Sequence, residues 1–210
     1  MPKSHKIIYA VYFAVWFIMA INPKYRDDWF LENILVFIFF PFILWMDSRH
    51  HYSLGSLILL LLFASLHSLG SHYTYAEMEH FDAITNFFGF ERNHYDRVVH
   101  FLFGLLLFKI LFEMITSHIS SLRTALFFTL TVMISISAAY EIIEWWAAVI
   151  ISPELGLAFL GTQGDIWDAQ KDTLIATFGA LVNFFFYAHY DKVFKTRKAQ
   201  NDSEEHGCIN

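Results

Sequence analysis

The chain has 210 residues, 56% hydrophobic and only 16% charged, with a positive mean hydropathy and a formal net charge of -6. A soluble domain is nearer half apolar and a quarter charged, so apolar residues gathered in long blocks exclude an ordinary soluble domain and indicate a polytopic membrane protein. The acidic balance gives no reason to expect a nucleic-acid partner, and the single cysteine, Cys208, excludes an intramolecular disulfide and a thiolate metal cluster.

Six apolar blocks follow in order, at roughly 6–21, 31–46, 54–69, 97–115, 124–150 and 173–189. A helix needs about 20 residues to cross roughly 30 Å of hydrocarbon, with a lower limit near 17. The fourth and fifth blocks meet this unaided, and flanking Tyr, Trp and His complete the others. The first follows Lys3 and Lys6 as a signal peptide would, but it lacks a small-residue cleavage site and five further spans follow it. Pro41 predicts a kink in the second block, which neighbouring helices can repair inside a bilayer. The heavy aromatic content, 24 Phe, 10 Tyr and 6 Trp, suits lipid-facing surface and interfacial anchors. The expected fold is all-α: one six-helix transmembrane domain over residues 1–190, then a disordered polar tail over 191–210.

Lys and Arg set the orientation. With both termini inside, the inner segments hold Lys3, Lys6, Arg49, Lys109, Arg123, Lys192, Lys195, Arg197 and Lys198. The outer ones hold Lys24, Arg26, Arg92, Arg97 and Lys171, and nine against five favours cytoplasmic termini.

Alternation of the spans then brings ionisable residues of four helices to one membrane face. "SLHSLGSHYTYAEM" ends the third span with His67 and His72, and "ERNHYDRVVHFLFGLL" opens the fourth with Asp96 and His100, which share a helical face. In "AAYEIIEWW", Glu141 lies 17 residues from residue 124, about 26 Å along the fifth span at 1.5 Å per residue. Glu144 is its neighbour one turn on. "GTQGDIWDAQKD" supplies Asp165, Asp168 and Asp172 before the sixth span, one stripe if that segment is helical. Buried carboxylates need partners or a wet cavity. Five or six of them here face mainly Arg92, Arg97 and Lys171, so the surplus charge calls for protons, a metal ion or a cationic ligand.

Imidazole with carboxylate suits zinc, manganese or iron, and His72, Asp96, His100 and Glu141 form the expected divalent-metal set, with Glu144 an alternative to Glu141. Asp168, Asp172, Glu144 and Arg97 are the candidate catalytic residues: a carboxylate as general base, and a guanidinium for a phosphoryl group. Arg92, Gln163 and Asp165 are the candidate substrate contacts, and the expected partner is a membrane lipid or lipid-linked substrate. Each residue also has an ordinary reading. Asp172 suits a helix N-cap, Asp165 and Asp168 a solvated loop face, Arg97 a helix-tying ion pair with Asp96 or Glu144, and His67 a hydrogen-bonded packing residue. Gly161 and Gly164 suggest a turn, or an anion-binding nest.

"HYTYAE", "ERNHYDRVVHFLFG", "YEIIEWW" and "GTQGDIWDAQKD" together resemble the YjdF-like family of bacterial inner-membrane proteins, over roughly residues 5–190. That resemblance implies a multi-pass inner-membrane location and carries no settled chemistry. A more distant likeness is to VanZ-like membrane proteins, associated with glycopeptide resistance. Asp96 and His100 match their Asp-x-x-x-His helix start, Glu141 or Glu144 the Glu of the next helix, and Asp168 or Asp172 with Gly179 the last element. Ala176 stands where those proteins have Asn. The likeness implies a four-helix polar core acting on envelope lipids or their precursors. Three functions fit: a metal-assisted hydrolase or transferase on lipid head groups, a proton or metal-ion transporter, or a non-catalytic envelope or assembly protein. Ionisable residues confined to one side favour a site over a conduit.

Overall fold

The computed structural model describes residues 1–151, 156 and 159–207, with His50 and 191–207 described by backbone alone. All regular structure among the described residues is helical. Helices α1 (Lys3–Met19), α2 (Arg26–His50) and α3 (Leu54–Tyr73) are followed by two 3-10 turns, Tyr75–Glu77 and Glu79–Phe81. The short α4 (Asp82–Phe88) then leads into α5 (Tyr95–Thr116), α6 (Leu122–Ile150) and α7 (Asp168–Gly207). Among the described residues, five helices, α2, α3, α5, α6 and α7 as far as Tyr190, are long and apolar enough to cross a membrane. The 17 residues of α1 sit at the lower length limit. The tail expected from residue 191 onward lies outside the residues whose side chains are described.

Local chemistry sets the helix ends. The Ser53 hydroxyl accepts from the Ser56 amide at 3.2 Å to cap α3, and Ser121 does the same for Thr124 at 3.4 Å to cap α6. Asp27 and Asp28 occupy the first turn of α2, where negative charge meets the helix dipole favourably. α2 ends at His51 in the left-handed conformation (φ 53°) and is one helix through Pro41. α7 begins at Asp168, so Asp172 lies a full turn inside the helix rather than capping it.

Helix α5 is the hub, packed against α3, α6 and α7, while α3 also carries α1 and α2. The α5–α7 crossing is close because small residues face each other. A Cβ on Gly104 would lie 1.9 Å from the Ala176 carbonyl oxygen, and one on Gly179 would lie 2.1 Å from that of Phe101. Ala176 and Ala180 complete this small-residue face, the kind that lets membrane helices approach backbone to backbone. Below it Phe108, Leu126, Met133 and Ala180 form an apolar core shared by α5, α6 and α7. Tyr9, Tyr12, Phe40, Leu57 and Leu60 form a second among α1, α2 and α3. Outward-facing Phe37, Phe127, Phe128, Phe185 and Phe186 are exposed, as lipid-facing residues should be. Phe87, Phe88, Trp145, Trp146, Ile166 and Trp167 are exposed at or beside helix ends, which suits the interface.

Candidate functional site

The loop before α7 is a folded hinge. Thr162 and Asp165 carbonyls accept from the Asp165 and Asp168 amides at 2.9 and 3.3 Å, and Gln163 (φ 49°) and Gly164 (φ 87°) make the tight turn. The Gln163 side chain pairs with the Asn93 backbone in both directions, accepting from its amide and donating to its carbonyl at 2.9 Å each. This clamp locks the loop onto the segment leading into α5. Gln163, expected to touch substrate, therefore spends its amide on the fold.

The loop delivers its aspartates to two arginines. Asp165 accepts from Arg97 Nη2 and Lys171 Nζ, each at 2.6 Å, and from the Trp167 amide at 3.1 Å. Asp168, almost fully buried, accepts from Arg92 Nη1 and, at 3.0 Å, from Arg97 Nη2. Arg92 also donates to the Thr162 carbonyl at 3.3 Å. Hydrogen bonds from Lys171 and Arg97 hold the Asp165 carboxyl well below its ordinary pKa range. Burial, with Arg97 and Arg92 nearby, lowers the His94 imidazole. Asp165 is neither a free substrate contact nor a solvated loop face, and Asp168 is ion-paired rather than poised as a base. Arg97 does tie helices together, but through Asp165 and Asp168 rather than Asp96 or Glu144.

Asp172 points the other way along α7. Its Oδ1 lies 3.8 Å from Arg97 Nε, is buried, and has no hydrogen-bond partner among the described residues. It joins Asp96 and His100, one ligand atom of each lying within 4.8 Å of the others. His100 Nε2 is 3.4 Å from Asp96 Oδ1 and 3.7 Å from Glu141 Oε1, and that Glu141 oxygen is a second buried acceptor without a partner. The close Gly104–Ala176 and Gly179–Phe101 contacts are what bring α5 and α7 near enough for this. Of the expected metal set, Asp96 and His100 converge, and Asp172, expected as a catalytic group, completes the trio, while Glu141 reaches it through His100.

His72 does not join them. Its Nδ1 donates to the Met19 carbonyl at 2.8 Å and its own carbonyl accepts from the Lys24 amide, so it fastens α3 to the end of α1. His67 is a hydrogen-bonded residue: Nδ1 accepts from the Tyr75 hydroxyl at 2.6 Å, while Nε2 donates to the Glu32 carbonyl at 3.2 Å.

Glu32 is a site residue that the sequence pattern hides. It looks like the last of the charges in "RDDWFLEN" at a helix mouth, yet it is only 5% exposed and accepts from the Tyr140 hydroxyl at 3.4 Å. The signal is Glu32 followed by Asn33 after "WFL", a polar pair one and a half turns into an apolar helix. Glu32, Asp96, His100, Tyr140 and Glu144 all line a cavity of about 270 Å³ among α2, α3, α5 and α6. Five helices, α2 included, therefore bring ionisable groups to this face. Three cations serve Asp165 and Asp168. Among the described residues, the ion pairs of the remaining carboxylates, Glu32, Asp96, Glu141, Glu144 and Asp172, run only to His100 and Arg97.

Such a set can bind a cation, or hold protons on carboxyl groups until one is needed. The likeness of the chain to known proteins fits a membrane role. Residues 4–192 match the family described as "Predicted membrane protein (DUF2238)". A relative, the inner membrane protein YjdF of Escherichia coli (strain K12), is 33% identical over 175 residues, covering 81% of this chain and 82% of that protein. No solved structure matches, and the VanZ-like likeness gains no support from these matches. The location is accordingly the inner membrane, crossed several times, and the chain belongs to the DUF2238 family of membrane proteins.

Proposed function

We propose that the protein is a metal-dependent membrane hydrolase or transferase acting on lipid head groups. Asp96, His100 and Asp172, with Glu141, hold one divalent ion, zinc, manganese or iron. With α1 as a sixth span and both termini in the cytoplasm, the group lies in the outer half of the membrane. The observation that carries this reading is the pair of buried carboxylate oxygens near His100, Asp172 Oδ1 and Glu141 Oε1, left without hydrogen-bond partners among the described residues. Buried carboxylates short of hydrogen-bond partners are costly, and one divalent ion would answer both. Their chemistry is that of a His/carboxylate site able to polarise a phosphoryl oxygen and activate water.

Glu144, on the cavity side of the same α6 face, is the general base. In hydrolysis it takes the proton of the attacking water as that oxygen bonds to phosphorus, and returns it to the head-group oxygen as the old P–O bond breaks. Asp165, Asp168, Arg92 and Arg97 support the site by holding α7 against α5. To test this, purified protein is incubated in bacterial polar-lipid nanodiscs with zinc, manganese or iron(II), and head-group release is followed by mass spectrometry. Metal-dependent release, lost in Glu144→Gln, supports the reading. No release with any metal, from protein that binds the ion, contradicts it.

A further inference from the structure

The cavity is graded along the helix axes, and α2, α5 and α6 share the same polarity. On α2 the lining runs from Glu32 through Val36 to Ile43, and on α5 from Asp96 through Phe103 to Leu107. α6 runs the opposite way and is graded in the opposite sequence order, from Ile136 and Ser137 through Tyr140 to Glu144. Eleven residues separate Glu32 from Ile43 and Asp96 from Leu107, about 16 Å of helix at 1.5 Å per residue. That is roughly half the 30 Å hydrocarbon thickness of a bilayer, the depth of one leaflet. Phe39 and Ile136 line the cavity yet are 47% and 39% exposed, so it opens sideways between α2 and α6 toward lipid.

The polar end is predominantly acidic. Glu32, Asp96 and Glu144 line it beside the imidazoles of His67 and His100, so carboxylates outnumber cations there, and no Lys or Arg lines it among the described residues. Partway down, Ser137 is only 3% exposed, and its buried hydroxyl has no hydrogen-bond partner among the described residues. An apolar slot one leaflet deep, open to the bilayer and closed at its head by carboxylates, is complementary to a chain with a cationic head.

We propose that this cavity binds an aminolipid of the surrounding leaflet, with one acyl chain along α2 and α5 and its head-group ammonium at Glu32 and Glu144. The inference deepens the enzymatic reading by naming the lipid class, but it does not need the metal, because Glu32 lies outside the metal group.

The test is native mass spectrometry of the full-length protein with lysophosphatidylethanolamine and lysophosphatidylglycerol of the same chain length, which differ in carrying an ammonium or a hydroxyl. The wild type should retain the ethanolamine lipid about tenfold better. Glu32→Gln should bring the ratio toward one, and Val36→Trp, which fills the slot, should remove both lipids. Equal retention by the wild type overturns the proposal, whatever the variants do, and so does an unchanged ratio in folded Glu32→Gln. Metal content measured on the same sample separates the two ideas. Metal-free protein that keeps the lipid preference removes the enzyme reading alone, and metal-loaded protein without the preference removes this one.

Discussion

The two ends of the helix bundle treat charge in opposite ways. Where α5 ends beside the start of α3, Lys109 Nζ reaches Glu113 at 2.8 Å, Ser53 Oγ at 2.6 Å and Ser56 Oγ at 3.1 Å. Glu113 accepts in turn from the Ser53 amide at 3.0 Å. At the same end His5 Nδ1 sits 3.0 and 2.9 Å from the two oxygens of buried Asp47, which also accepts from the Tyr52 amide. Both carboxylates there, Asp47 and Glu113, have a basic partner. At the opposite end, Asp96, Glu141, Glu144, Asp172 and Glu32 crowd around His100, and among the described residues three buried carboxylate oxygens at this end, on Asp28, Glu141 and Asp172, have no hydrogen-bond partner. Paired charge of the first kind fastens helices. Buried charge of the second kind, short of hydrogen-bond partners, is costly to keep, and the proposed divalent ion would offset that cost.

That contrast can be broken first at the α5–α7 crossing, because the surplus exists only while those helices touch. Gly104→Leu would push a side chain through the Ala176 backbone. It should cost more than about 3 kcal/mol, beyond ordinary overpacking, and size-exclusion and thermal-melt profiles should show loss of folded protein. Arg97→Met comes next. It strips partners from Asp165, Asp168 and Asp172 in a site where the arginine is only 15% exposed. A loss of about 2–4 kcal/mol is expected, read as a lower Tm and partly restored by adding Asp168→Asn. Lys109→Met at the other end should cost less than about 1 kcal/mol, since that pair is about 29% exposed and screened.

The smallest effect is a pH dependence. Asp165 has a folded pKa held below its unfolded value, near 3.9, so its stabilisation is complete above that value and is lost as pH falls toward the lowered one. The Tm gap between wild type and Asp165→Asn should therefore stay constant from about pH 8 to pH 5 and shrink below about pH 4. A gap that instead changes near neutrality would place the effect on another group.

Much of this contrast is legible in the sequence. Apolar block length marks the spans, and their alternation alone places Asp96, His100, Glu141 and Asp172 at one end. Hidden from the sequence are the partners, because these are set by contacts across the fold. Arg97 meets Asp165 and Asp168 across 68 and 71 positions, and that pairing takes two aspartates out of the surplus. His72 looked equivalent to His100 by position along its helix, but its side of α3 faces the end of α1 and the Met19 carbonyl. Glu32 was masked by Asp27 and Asp28, which make its helix mouth look like ordinary interfacial charge. Gly104 carries no small-residue motif of its own, and only its meeting with Ala176 on α7 gives it meaning.

The central claim is that the carboxylate surplus around His100 holds a divalent ion. Elemental analysis of protein purified without chelator tests it most directly, on the wild type and on His100→Ala, Asp172→Asn and Lys109→Met. The account predicts about one zinc, manganese or iron per chain in the wild type and in Lys109→Met, and none in the two site variants while they remain monodisperse. Folded wild-type protein that carries no metal, and takes up none when each ion is added, would contradict it.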